Sequence, residues 1–335
     1  MTRTVGLRET WRPAVGACGY APSMSRVHID TDFAGDPDDA CALAMILGWP
    51  GAEITGITTT ADPDGMRAGY VRHFLRLAGR PDIPVAVGAG HSLTTGLTMG
   101  DVPDHHRYWG DDPVAPEPIV AGAATMLLEQ SIAVGATIAA IGPYTNLALL
   151  GGHQLAAATV VTMGGWIQPA ADGLPPWGPE SDWNTWCDTQ AAATVANHAG
   201  DLTWSLLPVT MPAHLRGIDL PRLRATGSIG DLLARQSAAH AQDQEHLQAA
   251  RRYPGLPDDL VNFHWDPLAC AVALGWSGAT VEPARLVPVI RNDAFQLVRD
   301  RAGRSMQVLT GVDGDAFTDT WITHVAAAQA GDQRR

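Results

Sequence analysis

"HIDTDFAGDPDDACALAMIL", residues 28–47, sets five aspartates, Asp30, Asp32, Asp36, Asp38 and Asp39, within ten positions and no basic residue among them. "RVHID" (26–30) reads as a β-strand and "PDDACALAMILG" (37–48) as a helix, so the acidic run is the turn of a βα unit. Two residues apart on a strand, Asp30 and Asp32 point to one side. Pro37 suits a first helical turn, which puts Asp38 and Asp39 in that turn. A helix N-terminus favours each anion by only about 0.3–1 kcal/mol. Two carboxylates about 4 Å apart repel by about 4 kcal/mol at an effective dielectric near 20. The helix end alone therefore cannot hold the whole set ionised. A hard divalent cation with oxygen ligands can; the alternative is that one carboxyl stays protonated.

Outward from this unit the same alternation continues. Strands are expected at 53–60, 83–89, 136–142, 158–165 and 203–209, and helices at 66–79, 119–132 and 188–200. That order predicts a doubly wound, mainly parallel α/β sheet. "ARLVPVIRND" (284–293) and "SMQVLTGV" (305–312) are late strands able to pair before a C-terminal helix at 319–330. The Gly/Pro-rich stretches 90–118 and 166–187 are long loops, the kind that carry function, and 243–259 reads as a helix followed by a loop. Residues 1–25 are expected to be a disordered tail and 26–332 one catalytic domain.

Composition narrows the function. The 335 residues carry a net charge of −13 with a pI near 5.2, against the basic face that nucleic-acid binding needs. There is no lysine, which removes Schiff-base, Walker and lysine-base chemistries. The four cysteines are scattered without CxxC spacing, so neither a zinc cluster nor a disulfide framework is indicated. No apolar run is long enough for a membrane span, and the N-terminal stretch lacks the apolar segment of a signal peptide, so a cytoplasmic protein is expected. Two acid-rich alternatives fail on single residues. An EF-hand loop from Asp30 puts Cys41 where a bidentate Glu belongs. A haloacid-dehalogenase-type phosphatase needs a later lysine.

With these residues in hand, the chain resembles the inosine/uridine-preferring nucleoside hydrolases. "DTDFAGDPDDACALAMIL" is similar to that family's D-x-D-P-G-x-D-D-A opening, with a loop two residues longer. "ITTTADPDG" (57–65), "IGPYTNLAL" (141–149), "VTMGGW" (161–166), "SDWNTWCDTQAA" (181–192) and "HWDPLACAVAL" (264–274) resemble later family segments in the right order. The resemblance implies a nucleoside-hydrolase-like, Rossmann-like fold and a ribonucleoside split into ribose and free base by a metal-activated water. It implies Ca²⁺ held by Asp32, Asp39, the carbonyl of Ile141 and Asp266, with Asp32 also taking the water's proton. It implies ribose contacts from Asp38, Asp182, Asn184 and Met163, and a homodimer or homotetramer. "DHHRYW" (104–109) lies where the family places a base-facing His or aromatic, so His106 and Trp109 are candidates. Where many members have a His before the late Asp, this chain has Trp265, with His264 one residue back. That resembles the purine-specific branch and suggests a stacked purine; His264 is the alternative acid.

The chain departs from the pattern in places. Asp36 has no assigned role, Asp62 or Asp64 stands in for a ribose-binding Asn, Asp182 replaces a Glu, and an upstream Asn falls near Pro176. A non-catalytic nucleoside- or pentose-binding protein and a metal-dependent phosphohydrolase remain open as rivals.

Overall fold

The computed structural model of the chain describes residues 24–102 and 104–330. Eleven strands form: β1 (Ser25–Thr31), β2 (Ala52–Thr59), β3 (Val85–Val87), β4 (Thr137–Ala140), β5 (Thr159–Met163), β6 (Asp201–Ser205), β7 (His214–Arg216), β8 (Leu260–Phe263), β9 (Ala279–Arg291), β10 (Ala294–Arg299) and β11 (Arg304–Val312). Nine of them make one sheet, in the order β10-β9-β11-β6-β5-β4-β1-β2-β3, and β7 pairs with β8 apart from it. Seven neighbours from β3 to β11 run parallel, while β9 is antiparallel to both β11 and β10. The expected α/β architecture is therefore present.

β1 lies between β2 and β4, where the chain order reverses. In an open α/β sheet this switch point leaves a crevice beyond the strands' C-terminal ends, where ligands bind. Asp30 sits in register with Thr58 of β2 and Ala140 of β4, at that edge of β1. The aspartate loop leaves the sheet there.

The helix Asp38–Leu47 is buried from Asp38 to Ile46, because its Ala/Leu surface packs against two other helices, Trp265–Ala273 and Gly314–Ala330. The first and second of these helices each carry an aspartate in the first turn, Asp39 and Asp266. Their packing sets those two carboxylates beside the end of β1.

Several boundaries move. Ser25 begins β1 rather than closing a tail; residues 1–23, like 331 and 332, lie outside the described residues. The strand expected at 203–209 is β6 at 201–205, since Pro208 opens a short helix, Leu207–Thr210. The late strands pair as expected, but β10 forms between them and turns the pair into a three-stranded antiparallel edge. The helix expected from 243 is His246–Arg252, preceded by a 16-residue helix, Ser228–Asp243. Cys41, Cys187 and Cys270 are free and buried. Among the described residues no helix is long and apolar enough to cross a membrane.

Candidate active site

Four buried or half-buried aspartates face one another at the switch point. Burial and mutual repulsion raise the pKa of Asp32, and hold Asp39 and Asp266 well above the usual carboxylate range. Asp36 is pushed up to about 7 by burial, against the pull of His246 and Arg67. One oxygen each from Asp36, Asp38 and Asp39 fall within 4.8 Å of one another. Hydrogen bonds knit the loop: the Asp38 amide donates to Asp36 Oδ1 (2.9 Å), the Asp39 amide to Asp38 Oδ1 (3.0 Å), and Thr31 Oγ1 to Asp39 Oδ1.

One cation stands under this cluster, and the sequence did not flag it. Arg67, 3% exposed at the start of the helix Met66–Leu77, donates from Nε to the Ala61 carbonyl (2.8 Å). Its Nη1 donates to the carbonyls of Asp32 and of Phe33, the latter at 3.1 Å. It clamps the loop's backbone rather than any single carboxylate, and its charge stabilises Asp32, Asp36 and Asp39 together. A single guanidinium against Asp32, Asp36, Asp39 and Asp266 leaves most of the repulsion unmet. The donor set is all oxygen, and the buried Asp30 Oδ2 lacks a hydrogen-bond partner among the described residues. These residues fit a hard divalent cation of the Ca²⁺ kind.

The motif's other members mostly build the frame. Asp30 is fully buried, its Oδ1 accepts from Thr58 Oγ1 (2.5 Å) and Asn146 Nδ2 (2.7 Å), and burial pushes its pKa up to about 7. Asn146 of "GPYTN" also donates to the Thr59 carbonyl and accepts from the Ala89 amide, so it ties β1, β2 and the chain beyond β3 together. Gly142 is glycine because a Cβ there would come within 2.6 Å of the Asp32 nitrogen. Asp62 is spent on the frame: it accepts from Thr59 Oγ1 and from the amides of Arg67 and Ala68, opening their helix. Asp64 accepts from the Met66 amide. Asp188 binds Thr145 Oγ1, Thr94 Oγ1 and the amides of Leu93, Thr94 and Ala191, holding the 90–94 loop against the helix Thr189–His198.

The expected ribose side lies opposite. Asn184 Nδ2 donates to the carbonyls of Ile141 (3.0 Å) and Met163 (3.1 Å), joining the expected metal-side and sugar-side carbonyls through one amide. The Met163 carbonyl also accepts from Tyr144 Oη (2.7 Å). Asp182 accepts from the amides of Gly165 and Thr185, and burial lifts its pKa to about 6. Trp183 donates from Nε1 to Asp32 Oδ2 (3.0 Å) while its ring stays 45% exposed.

The aromatic candidates separate. Trp265 stacks on Phe263 (4.3 Å between centroids, 17°) with Trp177 6.0 Å away, and it is only partly buried. His264 turns the other way, against Trp321 and Phe317, its Nε2 buried without a hydrogen-bond partner among the described residues and its pKa lowered by burial to about 3. Trp109 is in the core beneath the acidic loop, against Phe33 and Tyr70. His106 is exposed and pairs with Asp111. No hydrogen bond links either to the aspartates among the described residues. Their neighbour Tyr108 donates to Asp243, and Arg107 pairs with the same carboxylate, fastening this loop to the helix Ser228–Asp243.

The chain is similar to known proteins. The inosine-uridine preferring nucleoside hydrolase family matches residues 27–319. The pyrimidine-specific ribonucleoside hydrolase RihA of Klebsiella pneumoniae is 30% identical over 310 residues, 86% of this chain and 95% of its own. RihA of Salmonella schwarzengrund is 36% identical over 205 residues, a match spanning 57% of this chain and 63% of that protein. Among solved structures, a plant nucleoside hydrolase superposes with a TM-score of 0.75 at 21% identity, covering 91% of this chain and 99% of its own. A purine-preferring ribonucleoside hydrolase from Gardnerella vaginalis gives 0.73 at 20%, covering 91% and 100%. Likeness at such identity speaks for the fold.

Proposed function

Because the chain belongs to the inosine-uridine preferring nucleoside hydrolases, we propose that it hydrolyses the N-glycosidic bond of ribonucleosides, with Ca²⁺ as its metal and a purine as the favoured base. The observation that carries the reading is the buried acid cluster at the end of β1, where oxygens of Asp36, Asp38 and Asp39 fall within 4.8 Å of one another and burial and neighbouring carboxylates raise the pKa of Asp32, Asp39 and Asp266.

In this reading Asp32, Asp39, Asp266 and the Ile141 carbonyl hold the ion. When bound, Ca²⁺ supplies positive charge that offsets the carboxylates and acidifies a neighbouring water. Asp32 takes that water's proton, helped by Trp183, whose N–H fixes one carboxylate oxygen. The surrounding acids stabilise the positive charge that develops on the sugar as the base departs. Asp38 and Asn184 grip ribose hydroxyls, with Asp182 and the Met163 carbonyl on the same side. A site that pairs a hydroxyl leaves buried polar groups unmet when it is missing, so 2′-deoxynucleosides should be poor substrates.

The base is the finer point. The curated relatives above are pyrimidine-specific by name, and the Gardnerella neighbour is purine-preferring. Trp265, partly exposed and held by Phe263 immediately before Asp266, supports the purine here. An indole face favours the larger ring and stabilises it as it becomes cationic. A nucleoside panel read by ribose release tests the whole reading. Expected is inosine or adenosine ahead of uridine and cytidine, with loss of turnover after chelation and recovery with Ca²⁺. A panel led by uridine overturns the purine assignment. Binding without ribose release overturns the enzyme in favour of a nucleoside-binding protein, and phosphate release from nucleotides favours a phosphohydrolase.

A further inference from the structure

Trp183 opens the helix Trp183–Cys187 with its ring 45% exposed. A half-exposed indole is free to change rotamer unless its neighbours stop it. Here its direction serves one hydrogen bond, from Nε1 to Asp32 Oδ2 at 3.0 Å. The other carboxylate oxygen, Asp32 Oδ1, is turned to Gly142, where a Cβ would lie 2.9 Å from it. Gly142 follows Ile141, so the two oxygens are divided, Oδ2 to the indole and Oδ1 to the chain just beyond β4. An indole N–H donates, never accepts and carries no charge. It can fix the direction of a carboxylate without adding to the charge that Arg67 supplies.

The ring is held by a loop from a distant part of the chain. Gly100 has φ +66, and a Cβ there would lie 2.8 Å from Trp183 Cζ2 and 3.3 Å from Cη2. Cζ2 is bonded to the ring carbon that carries Nε1, so Gly100 packs against the edge that makes the hydrogen bond. A residue without a side chain suits both that backbone and that close approach. Trp186 flanks the ring, 5.8 Å away and tilted by 35°. The loop is pinned one residue earlier. Met99 is 3% exposed and packs with Ala61 and with Cys187, the last residue of the Trp183 helix. The Ala61 carbonyl accepts from Arg67 Nε, and Arg67 also holds the Asp32 carbonyl. One cluster thus fixes Asp32 twice, its backbone through Arg67 and its side chain through Trp183.

We propose that Trp183 is the positioning residue of Asp32 and that Gly100 sets it, the bare glycine letting the indole N–H reach Oδ2 so that the carboxylate meets the ion in one orientation. The proposal rests on the nucleoside-hydrolase reading above. Outer partners that orient a metal ligand govern affinity as well as rate, so the metal alone is a probe of it.

The test separates orientation from folding. Trp183→Phe keeps a ring beside Gly100 and removes the N–H. Expected are about tenfold weaker Ca²⁺ binding, by calorimetry on the metal-free full-length protein, and about tenfold lower kcat on inosine. KM should change little and the denaturant midpoint should stay in place. Gly100→Ala should bring both losses in smaller measure, because the methyl displaces the indole edge. In the Trp183→Phe background that methyl meets a shorter ring, so Gly100→Ala should add little there. Should Gly100→Ala fold poorly, Gly100→Asn takes its place, since asparagine tolerates the left-handed backbone and carries the same Cβ. Unchanged Ca²⁺ affinity and kcat in Trp183→Phe overturn the proposal. So does a Gly100→Ala loss as large in the Trp183→Phe background as alone, or a fallen midpoint in Trp183→Phe that accounts for its losses. A wild type that binds Ca²⁺ yet releases ribose from no nucleoside overturns the underlying activity instead, and the variants' Ca²⁺ affinities still decide the positioning role.

Discussion

The floor of the site and its aromatic wall are built in opposite ways. The floor, at the end of β1, is short-range: Asp30, Asp32, Asp36, Asp38 and Asp39 come from one stretch, and their partners Thr31, Thr58 and Asn146 sit on or beside adjacent parallel strands. The wall gathers Trp177, His246, Phe263 and Trp265 from three separated stretches through ring contacts. A floor of charges tolerates little change, because each removed group leaves buried partners unmet. A wall of rings can exchange members and still pack. The difference teaches that the chemistry should reside in the floor and the choice of base in the wall.

The most severe way to test that division is Asp32→Ala. It removes the proton acceptor and a proposed metal ligand together, so kcat/KM should fall at least a hundredfold, about 2.7 kcal/mol or more, with Ca²⁺ retention lost by isothermal titration. Full activity in a rigorously metal-free wild type would sink this assignment. Next comes the clamp beneath the floor. Arg67→Met leaves three backbone carbonyls without their donor and removes the guanidinium charge beneath the cluster. It should cost about 2 kcal/mol of stability by denaturant titration, with Ca²⁺ recovering more in the variant than in wild type; an unchanged midpoint would show the clamp to be idle.

A smaller effect reaches behind the floor. His28 on β1 is buried between Ser131 Oγ and Thr58 Oγ1, and burial lowers its pKa to about 3. The unfolded chain binds a proton near pH 6.5 that the folded protein refuses. The stability His28 contributes is therefore full above pH 6.5 and declines as pH falls toward 3, by about 1.4 kcal/mol per pH unit. His28→Asn should be less stable at pH 7.5 yet show a flatter loss between pH 6.5 and 5.5; identical slopes would contradict the buried neutral imidazole. The mildest change belongs to the wall. Trp265→Ala should lower kcat on inosine about fivefold, near 1 kcal/mol, raise KM less, and narrow the purine-to-pyrimidine ratio. If the ratio holds, base choice lies elsewhere.

Most of the frame was legible along the chain because parallel βα units write their periodicity locally. β1, β2, β4, β5 and the helices following β1 and β2 fall within a few residues of expectation. β10 was not foreseen because "AFQLVR" has no pairing signal until β9 lies beside it. Trp109 and His106 looked base-facing from their motif's position, yet the fold sends one ring to the core and leaves the other at the surface.

The sequence by itself determined the acid-rich end of β1, the helix that follows it and the family of chemistry they serve, since a local run of carboxylates at a strand-to-helix turn has few physical uses. Only the tertiary structure decided that Arg67 braces those carboxylates, that Trp183 reaches Asp32, and that His264 turns into the core against Trp321 and Phe317. Those assignments depend on which way side chains turn when elements 35 to 151 residues apart pack together, and a buried polar atom's partner is chosen by that packing, not by its neighbours in sequence.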